Sequence, residues 1–399
     1  MKIPIIALWA VALMAQTSGS GLHWVATWTA AQQLPRGAAG SFHNQTVRMI
    51  ARSSIGGSRV RIELSNAFGT APLVVGSAHI ALRGKDSAIV PGTDRALSFD
   101  GKPSVTIPVG APMLSDAIDF NVPKLADLAI SIYVPGETGA ASTHALGLHT
   151  TWISKEGDFT GQPEIADGTT SRSWYWLTGV DVLAPADAAS VVAFGDSITD
   201  GATSTPDTDR SWPSVLAQRL LANRATADIA VVNEGISGNQ VLGDGAGVSA
   251  LARFDRDVLS PPGVKWVMIM EGINDIGIGA RQGAPAGKIS AEAVIGGLRQ
   301  MIERAHAHGI SVIGCTLTPY VGASYASEAG EAMREAVNDF IRTGGAFDAV
   351  VDFETVTRDP ANPKQILAQY NTKDHLHPND IGYKAMADSI DLAIFARKP

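Results

Sequence analysis

The sequence predicts an α/β protein, a parallel β-sheet covered by helices on both faces, preceded by an all-β sandwich. Three observations carry that prediction. From residue 24 to about 182, short apolar runs are separated by Gly, Pro, Asn and Asp with almost no helical periodicity. From residue 190 onward, strand-like runs alternate strictly with helical patterns, the order that builds a parallel sheet. Between the two lies a small-residue, proline-containing link, Leu183-Ala184-Pro185-Ala186-Asp187-Ala188-Ala189, of the kind found at domain boundaries. A chain of 399 residues is too long for one ordinary core, so the division expected is 1–20, 21–183 and 190–399.

The first of these segments is expected to be a leader. Lys2 precedes an apolar stretch at 3–14, and the small and polar run Ala15-Gln16-Thr17-Ser18-Gly19-Ser20 follows, the order of a secretory signal peptide. A first core strand is the weaker reading, because nothing in the stretch alternates. Export to the exterior or periplasm is therefore expected, with the cleavage point left open. The stretch is too short to span a bilayer comfortably, and no later segment is long and apolar enough, so no membrane span is expected.

In the β-rich part, residues 59–64 alternate strictly, placing Val60, Ile62 and Leu64 on one face and charges on the other. With 46–52 across a loop containing Gly56-Gly57, this predicts a hairpin. Further strands are expected at 73–82, 104–109, 127–134 and 174–182, and their regular spacing predicts a sandwich of jelly-roll type. Trp174-Tyr175-Trp176 could form a stacking platform for sugar rings, but aromatics in a strand more often fill a core or a domain interface. In the α/β part, strands are expected at 190–194, 227–233, 265–270, 310–317 and 347–353, with helices at 212–223, 290–308, 328–343 and 378–395.

Composition excludes several partners. Hydrophobic residues make up 45% and charged residues 18%, a folded rather than disordered balance. The net charge of -8, with no basic patch or tail, argues against nucleic acid or an anionic membrane. Cys315 is the single cysteine, so no intrachain disulfide can form, and its apolar surroundings predict a buried side chain.

Ligands of parallel sheets bind beyond the carboxyl ends of the strands, and those ends carry polar residues a core would not need. The first expected strand runs into Gly195-Asp196-Ser197, the second into Asn233-Glu234-Gly235-Ile236-Ser237-Gly238-Asn239, the third into Glu271-Gly272-Ile273-Asn274-Asp275. Before the last helix stands Asp374-His375-Leu376-His377-Pro378-Asn379. A serine hydroxyl needs an adjacent base whose imidazole is held in the right tautomer. Asp374 and His377 stand three apart, so one turn can bring carboxylate and ring together and leave the other nitrogen for Ser197. Backbone N–H groups of Ser197 and Gly238 and the Asn274 amide could face an oxyanion. Pro378 is placed in the first turn of the closing helix.

These four segments, in this order, resemble the SGNH hydrolases, also called the GDSL esterase and lipase superfamily, with Ile198 where the name-giving leucine would stand. The resemblance covers about 190–395 and implies a flavodoxin-like three-layer fold. It also implies Ser197 as nucleophile, His377 as base, Asp374 as its orienter, and Ser197, Gly238 and Asn274 as the oxyanion hole. The β-rich half resembles the jelly-roll domain of some carbohydrate esterases of the superfamily. The expectation is an exported serine esterase without metal or organic cofactor, acting on an ester substrate with short acyl groups on carbohydrate, such as an acylated polysaccharide. A long-chain acyl esterase, or a carbohydrate-binding surface protein with a degenerate hydrolase half, are the alternatives.

His375 competes with His377 as base, but adjacent residues point apart, which makes His375 a rim residue. Asp196 is expected to hold its turn, and Asp275 to be structural. His306 and His308 close a helix rather than bind metal. Asp207-Thr208-Asp209 lacks the glycine and terminal glutamate of a calcium loop and is expected to be a plain acidic turn. No lysine follows Gly201 as a phosphate loop would require, and Thr199 breaks the Gly-x-Ser-x-Gly pattern of the α/β-hydrolases.

Overall fold

The computed structural model describes residues 21–35, 40–280 and 289–396. The expected signal peptide at 1–20 lies outside the described residues.

The N-terminal region consists mostly of two antiparallel sheets facing one core, a β-sandwich. One sheet orders the strands Leu22–Thr29, Leu177–Pro185, Gly57–Ser65 and Pro112–Leu114, with Ile118–Val122 also paired to Gly57–Ser65. The other orders Thr169–Ser171, Thr151–Glu156, Gln45–Arg52, Asp127–Val134, Ser77–Leu82 and Arg95–Ala96. The alternation at 59–64 holds, since Val60, Ile62 and Leu64 are fully buried.

The hairpin expected between 46–52 and 59–64 does not form. Those strands lie in opposite sheets. The connection crosses the sandwich because Thr27 Oγ1 accepts from both the Ser54 and Ile55 N–H groups, at 2.9 Å each, which pins the loop to the first strand. The run at 73–82 is split into Leu73–Val75 and Ser77–Leu82. Trp176 has a positive φ of 57° and breaks the run at 174–182, while Trp174, Tyr175 and Trp176 are all buried. The Trp174 indole meets Trp28 edge-on at 5.0 Å and donates to Ile50 O, so these rings are core and not a platform.

The C-terminal domain has a parallel five-stranded sheet in the spatial order Ile229–Gly235, Ala189–Gly195, Val264–Met270, Ser311–Cys315, Ala349–Val351. Numbered by sequence, that is 2-1-3-4-5, the flavodoxin-like order, with helices packed on the sheet. Every residue of Ala189–Gly195 is buried, as a strand covered on both faces requires. Helices Trp212–Ala222, Ala291–Ala307 and Glu328–Thr343 match expectation closely. The closing helix is shorter than the expected 378–395. It runs Asp380–Asp388, because the Asn379 side chain accepts from the Ile381 and Gly382 N–H groups and so caps it after Pro378. Asp391 then accepts from Ala393 N and starts a separate turn at Ala393–Ala396.

The link between the two parts is a tight turn. Leu177–Pro185 ends only a few residues before Ala189–Gly195 begins, and the Ala188 N–H donates to Pro185 O. The sandwich also covers the edge strand Ile229–Gly235, where the Val231 N–H donates to Ser54 Oγ at 2.8 Å.

Candidate active site

The first parallel strand delivers Ser197 onto the start of a four-residue helix, Ser197–Asp200. Asp196 caps it, its carboxylate accepting from the Ile198 N–H at 2.9 Å, as the sequence suggested. Burial pushes the Asp196 carboxyl up to about 6, against the pull of that hydrogen bond and of nearby His377. Gly195 has no room for a side chain, since an added β-carbon would lie 2.3 Å from Met270 O and 2.4 Å from Thr199 Oγ1.

Ser197 Oγ is 2.8 Å from His377 Nε2, and His377 Nδ1 is 2.6 Å from Asp374 Oδ2. The other oxygen of Asp374 accepts from the Leu376 and His377 N–H groups, both at 2.9 Å. Burial works against ionising Asp374, but these bonds outweigh it and hold the carboxyl below its usual range. The two backbone bonds also fold the segment into the turn that brings the ring over its own carboxylate. His375 has a positive φ of 60° and packs its ring beside Gly322, while the histidine hydrogen-bonded to Ser197 Oγ is His377.

Gly238 has a φ of 82° in a turn closed by the Asn239 N–H donating to Ile236 O, the geometry of a type II turn, whose third position favours glycine. Asn274 lies in the helix Ile273–Ala280. Its Nδ2 donates to Asn239 O at 2.8 Å, and its Oδ1 is 3.4 Å from the Tyr325 hydroxyl. An amide carries two N–H donors, so one remains for a substrate oxygen. The five positions singled out in the sequence are thus brought to one end of the parallel sheet.

Residues 193–385 match the GDSL-like Lipase/Acylhydrolase family. The C-terminal domain is a GDSL-like lipase/acylhydrolase. The protein is accordingly a carboxylic ester hydrolase. Similar solved structures include a protein assigned to the G-D-S-L lipolytic family from Desulfitobacterium hafniense DCB-2, at 27% identity over 52% of this chain and 99% of that one, with a TM-score of 0.39. A GDSL-like lipase from Bacteroides thetaiotaomicron VPI-5482 matches at 25% identity over 52% and 87%, TM-score 0.38. An acetylxylan esterase from Geobacillus stearothermophilus matches at 23% over 50% and 91%, TM-score 0.38. No curated protein matches the chain.

Three residues of this hydrolase domain's surroundings were not visible as site residues in the sequence. Arg253, fully buried, donates to Gly195 O (3.0 Å), Glu234 O (2.6 Å), Asn239 Oδ1 (2.8 Å) and Asp257 (3.0 Å), and its guanidinium lies 3.9 Å from the centre of the Phe194 ring. It therefore ties the ends of the first two parallel strands to the residue that positions Asn274. Tyr325 is the second, through its hydroxyl on Asn274, and His144 of the β-sandwich is the third, facing Asp200 at 3.0 Å. Asp275 is structural, as expected, its two oxygens accepting from the Val241 and Leu242 N–H groups.

Asp207-Thr208-Asp209 is more than the acidic turn expected. Asp207 accepts from the Thr150 N–H and hydroxyl, and Asp209 faces His149 and Arg52, so the turn latches the two parts together. Asp127, His149 and Asp209 stand close enough to resemble a metal group, but the Arg52 guanidinium already sits between the two carboxylates, at 2.8 and 3.2 Å. His306 and His308 are separately engaged, with Asp348 and with Arg304 O. Cys315 is buried, and burial pushes its thiol up out of the reactive range.

Proposed function

We propose that the protein is an exported serine esterase that removes short acyl groups, acetyl foremost, from a carbohydrate through an acyl-enzyme on Ser197. The observation that carries the mechanism is the continuous line from Ser197 Oγ through both nitrogens of His377 to Asp374, with contacts of 2.8 and 2.6 Å. His377 takes the hydroxyl proton as Ser197 attacks the ester carbonyl, and Asp374 holds the ring and steadies the imidazolium formed. The Ser197 and Gly238 N–H groups and the free Asn274 N–H receive the developing oxyanion. The imidazolium then protonates the departing alcohol, and water repeats the cycle on the acyl-enzyme, with His377 again as base.

The substrate proposal rests on two features of the sequence. The leader would take the enzyme to where polymeric esters lie. The loops at the strand ends, Thr203-Ser204-Thr205 and Asn239 to Gly245 among them, are polar and glycine-rich, which suits a small acyl group on a hydroxylated alcohol.

Initial rates on 4-nitrophenyl acetate through palmitate, together with acetate release from acetylated xylan and fatty-acid release from triglyceride, test the substrate. A preference rising with chain length would replace the carbohydrate reading with a lipase. Ser197→Ala and His377→Ala should each lower kcat by about a thousandfold or more, while His375→Ala stays within a few-fold of wild type. Comparable loss at His375 alone would move the base.

A further inference from the structure

His144 belongs to the N-terminal region, in the two-residue strand Thr143–His144, and is almost completely buried. Its Nδ1 is 2.8 Å from Ala31 O and its Nε2 is 3.0 Å from Asp200 Oδ1. A carbonyl only accepts, so Nδ1 carries a proton. Asp200 uses its other oxygen to accept from the Ser237 N–H at 2.8 Å and the Ser237 hydroxyl at 2.6 Å, as a carboxylate does. The Nε2–Oδ1 contact needs one proton, and with Asp200 ionised that proton sits on the ring, which is then an imidazolium. Burial alone would lower its pKa, but the Asp200 carboxylate and the bonds to Asp200 and Ala31 O outweigh burial and the more distant Arg253, and raise it.

Asp200 ends the helix that Ser197 begins, and Ser237 immediately precedes Gly238. One carboxylate thus joins the nucleophile turn to the oxyanion loop, and its counter-ion comes from the β-sandwich. A second contact from the same region converges there. Gln33 accepts from the Ala145 N–H at 2.8 Å and donates to Ala246 O at 2.9 Å, and Ala246 packs against Gly238.

We propose that His144 is a positioning residue for ester hydrolysis: through Asp200 and Ser237 it fixes the Gly238 N–H, so that the N-terminal region completes the oxyanion hole. This rests on the assignment of Gly238 made above. The pair is sequestered from water, where a charge left without its partner is costly, and that cost is what makes the loop's position definite.

The experiment uses the full chain and 4-nitrophenyl acetate, with thermal melts on every variant. His144→Gln places an amide N–H where Nε2 stands, toward Asp200. His144→Asn can replace only Nδ1, toward Ala31. Expected for His144→Asn is a fall in kcat of about tenfold with KM nearly unchanged, a fraction of the loss seen when an oxyanion donor is removed outright. His144→Gln should recover a large part of that kcat at a similar melting temperature. Equal kcat in the two variants, or a loss confined to KM, would overturn the proposal. Should neither variant fold, Ser237→Ala, at a half-buried position, decides the matter: a severalfold fall in kcat at unchanged melting temperature supports it, and wild-type kcat sinks it. Ser197→Ala run alongside separates the two readings. An active Ser197→Ala removes the nucleophile assignment and this proposal together, whereas an inactive one beside wild-type kcat in the His144 and Ser237 variants removes this proposal alone.

Discussion

The ring of Tyr325 fills the space that a β-carbon on Gly277 would occupy, its Cδ2 and Cε2 atoms lying 1.7 Å from that position. Gly277 is one helical turn beyond Asn274, so this close approach brings the Tyr325 hydroxyl to the Asn274 amide oxygen. Tyr325→Phe should lower kcat about two- to tenfold with little change in KM, the worth of one net hydrogen bond of about 0.5–1.5 kcal/mol. Gly277→Ala should cost about 1–3 kcal/mol by overpacking, and most of that cost should vanish in a Tyr325→Ala background. Steady-state kinetics of Tyr325→Phe check the first statement, and urea unfolding of the four proteins in the Gly277–Tyr325 cycle checks the second. Additive stability losses would mean that the ring and the glycine are not coupled.

Gly195 is constrained by sterics on both sides, by a backbone carbonyl of the neighbouring strand and by the Thr199 side chain. The carbonyl cannot move without breaking the parallel ladder, so Gly195→Ala must displace the Ser197 turn instead. A shift of about 1 Å in that turn is enough for a kcat loss on the order of a hundredfold, even though Ser197, His377 and Asp374 are all present. Normal turnover in this variant would show that the turn tolerates what its contacts forbid.

Arg253 binds the ends of two strands and one loop from a fully buried position. Arg253→Met removes the cation and leaves Asp257 and the three oxygens without it, and should destabilise the protein by about 3–5 kcal/mol. Denaturant unfolding reads this directly. A change below about 1 kcal/mol would mean water replaces the guanidinium.

Asp352 caps the helix Phe353–Thr357 and accepts from Arg342, Thr316 and Thr355. Burial raises its pKa, but the bond from Arg342 and those from Thr355 and Thr316 prevail and bring it from 3.8 to about 2. A depressed carboxyl contributes stability that is fully present above the unfolded value of 3.8 and is lost as pH falls through about 2. Asp352→Asn should therefore lower the melting temperature most between pH 5 and 7, with the penalty shrinking below about pH 4. A penalty independent of pH would point to the shape of the side chain and not its charge.

Much of the site was legible in the sequence because its signals are local. A buried strand running into Gly195-Asp196-Ser197 needs no partner to be recognised, and Asp374 and His377 lie within one turn of each other. Gly238 announces a positive φ by being glycine in a polar loop. The strands and helices of the parallel domain follow from periodicity for the same reason. The errors have the opposite character. The hairpin expected at 46–64 failed because the pairing partners of those strands lie far along the chain, at 127–134 and 177–185. The start of the last helix was misjudged because Asn379 was not recognised as its N-cap, and its end because the helix stops at Ser389 and a separate turn begins at Ala393–Ala396.

By itself the sequence determined the order of the elements, the division into an antiparallel and a parallel part, and the chemical identity of the groups gathered at the strand ends. Tertiary structure alone decided which distant residues hold them. Arg253 reaches Gly195 across 58 positions, Tyr325 reaches Asn274 across 51, and His144 reaches Asp200 across 56. A lone arginine, tyrosine or histidine carries no periodic signal, and it matters only through contacts that packing creates. The immediate neighbours of Ser197 could be read from the chain, whereas the residues that keep those neighbours in place could be found only after it had folded.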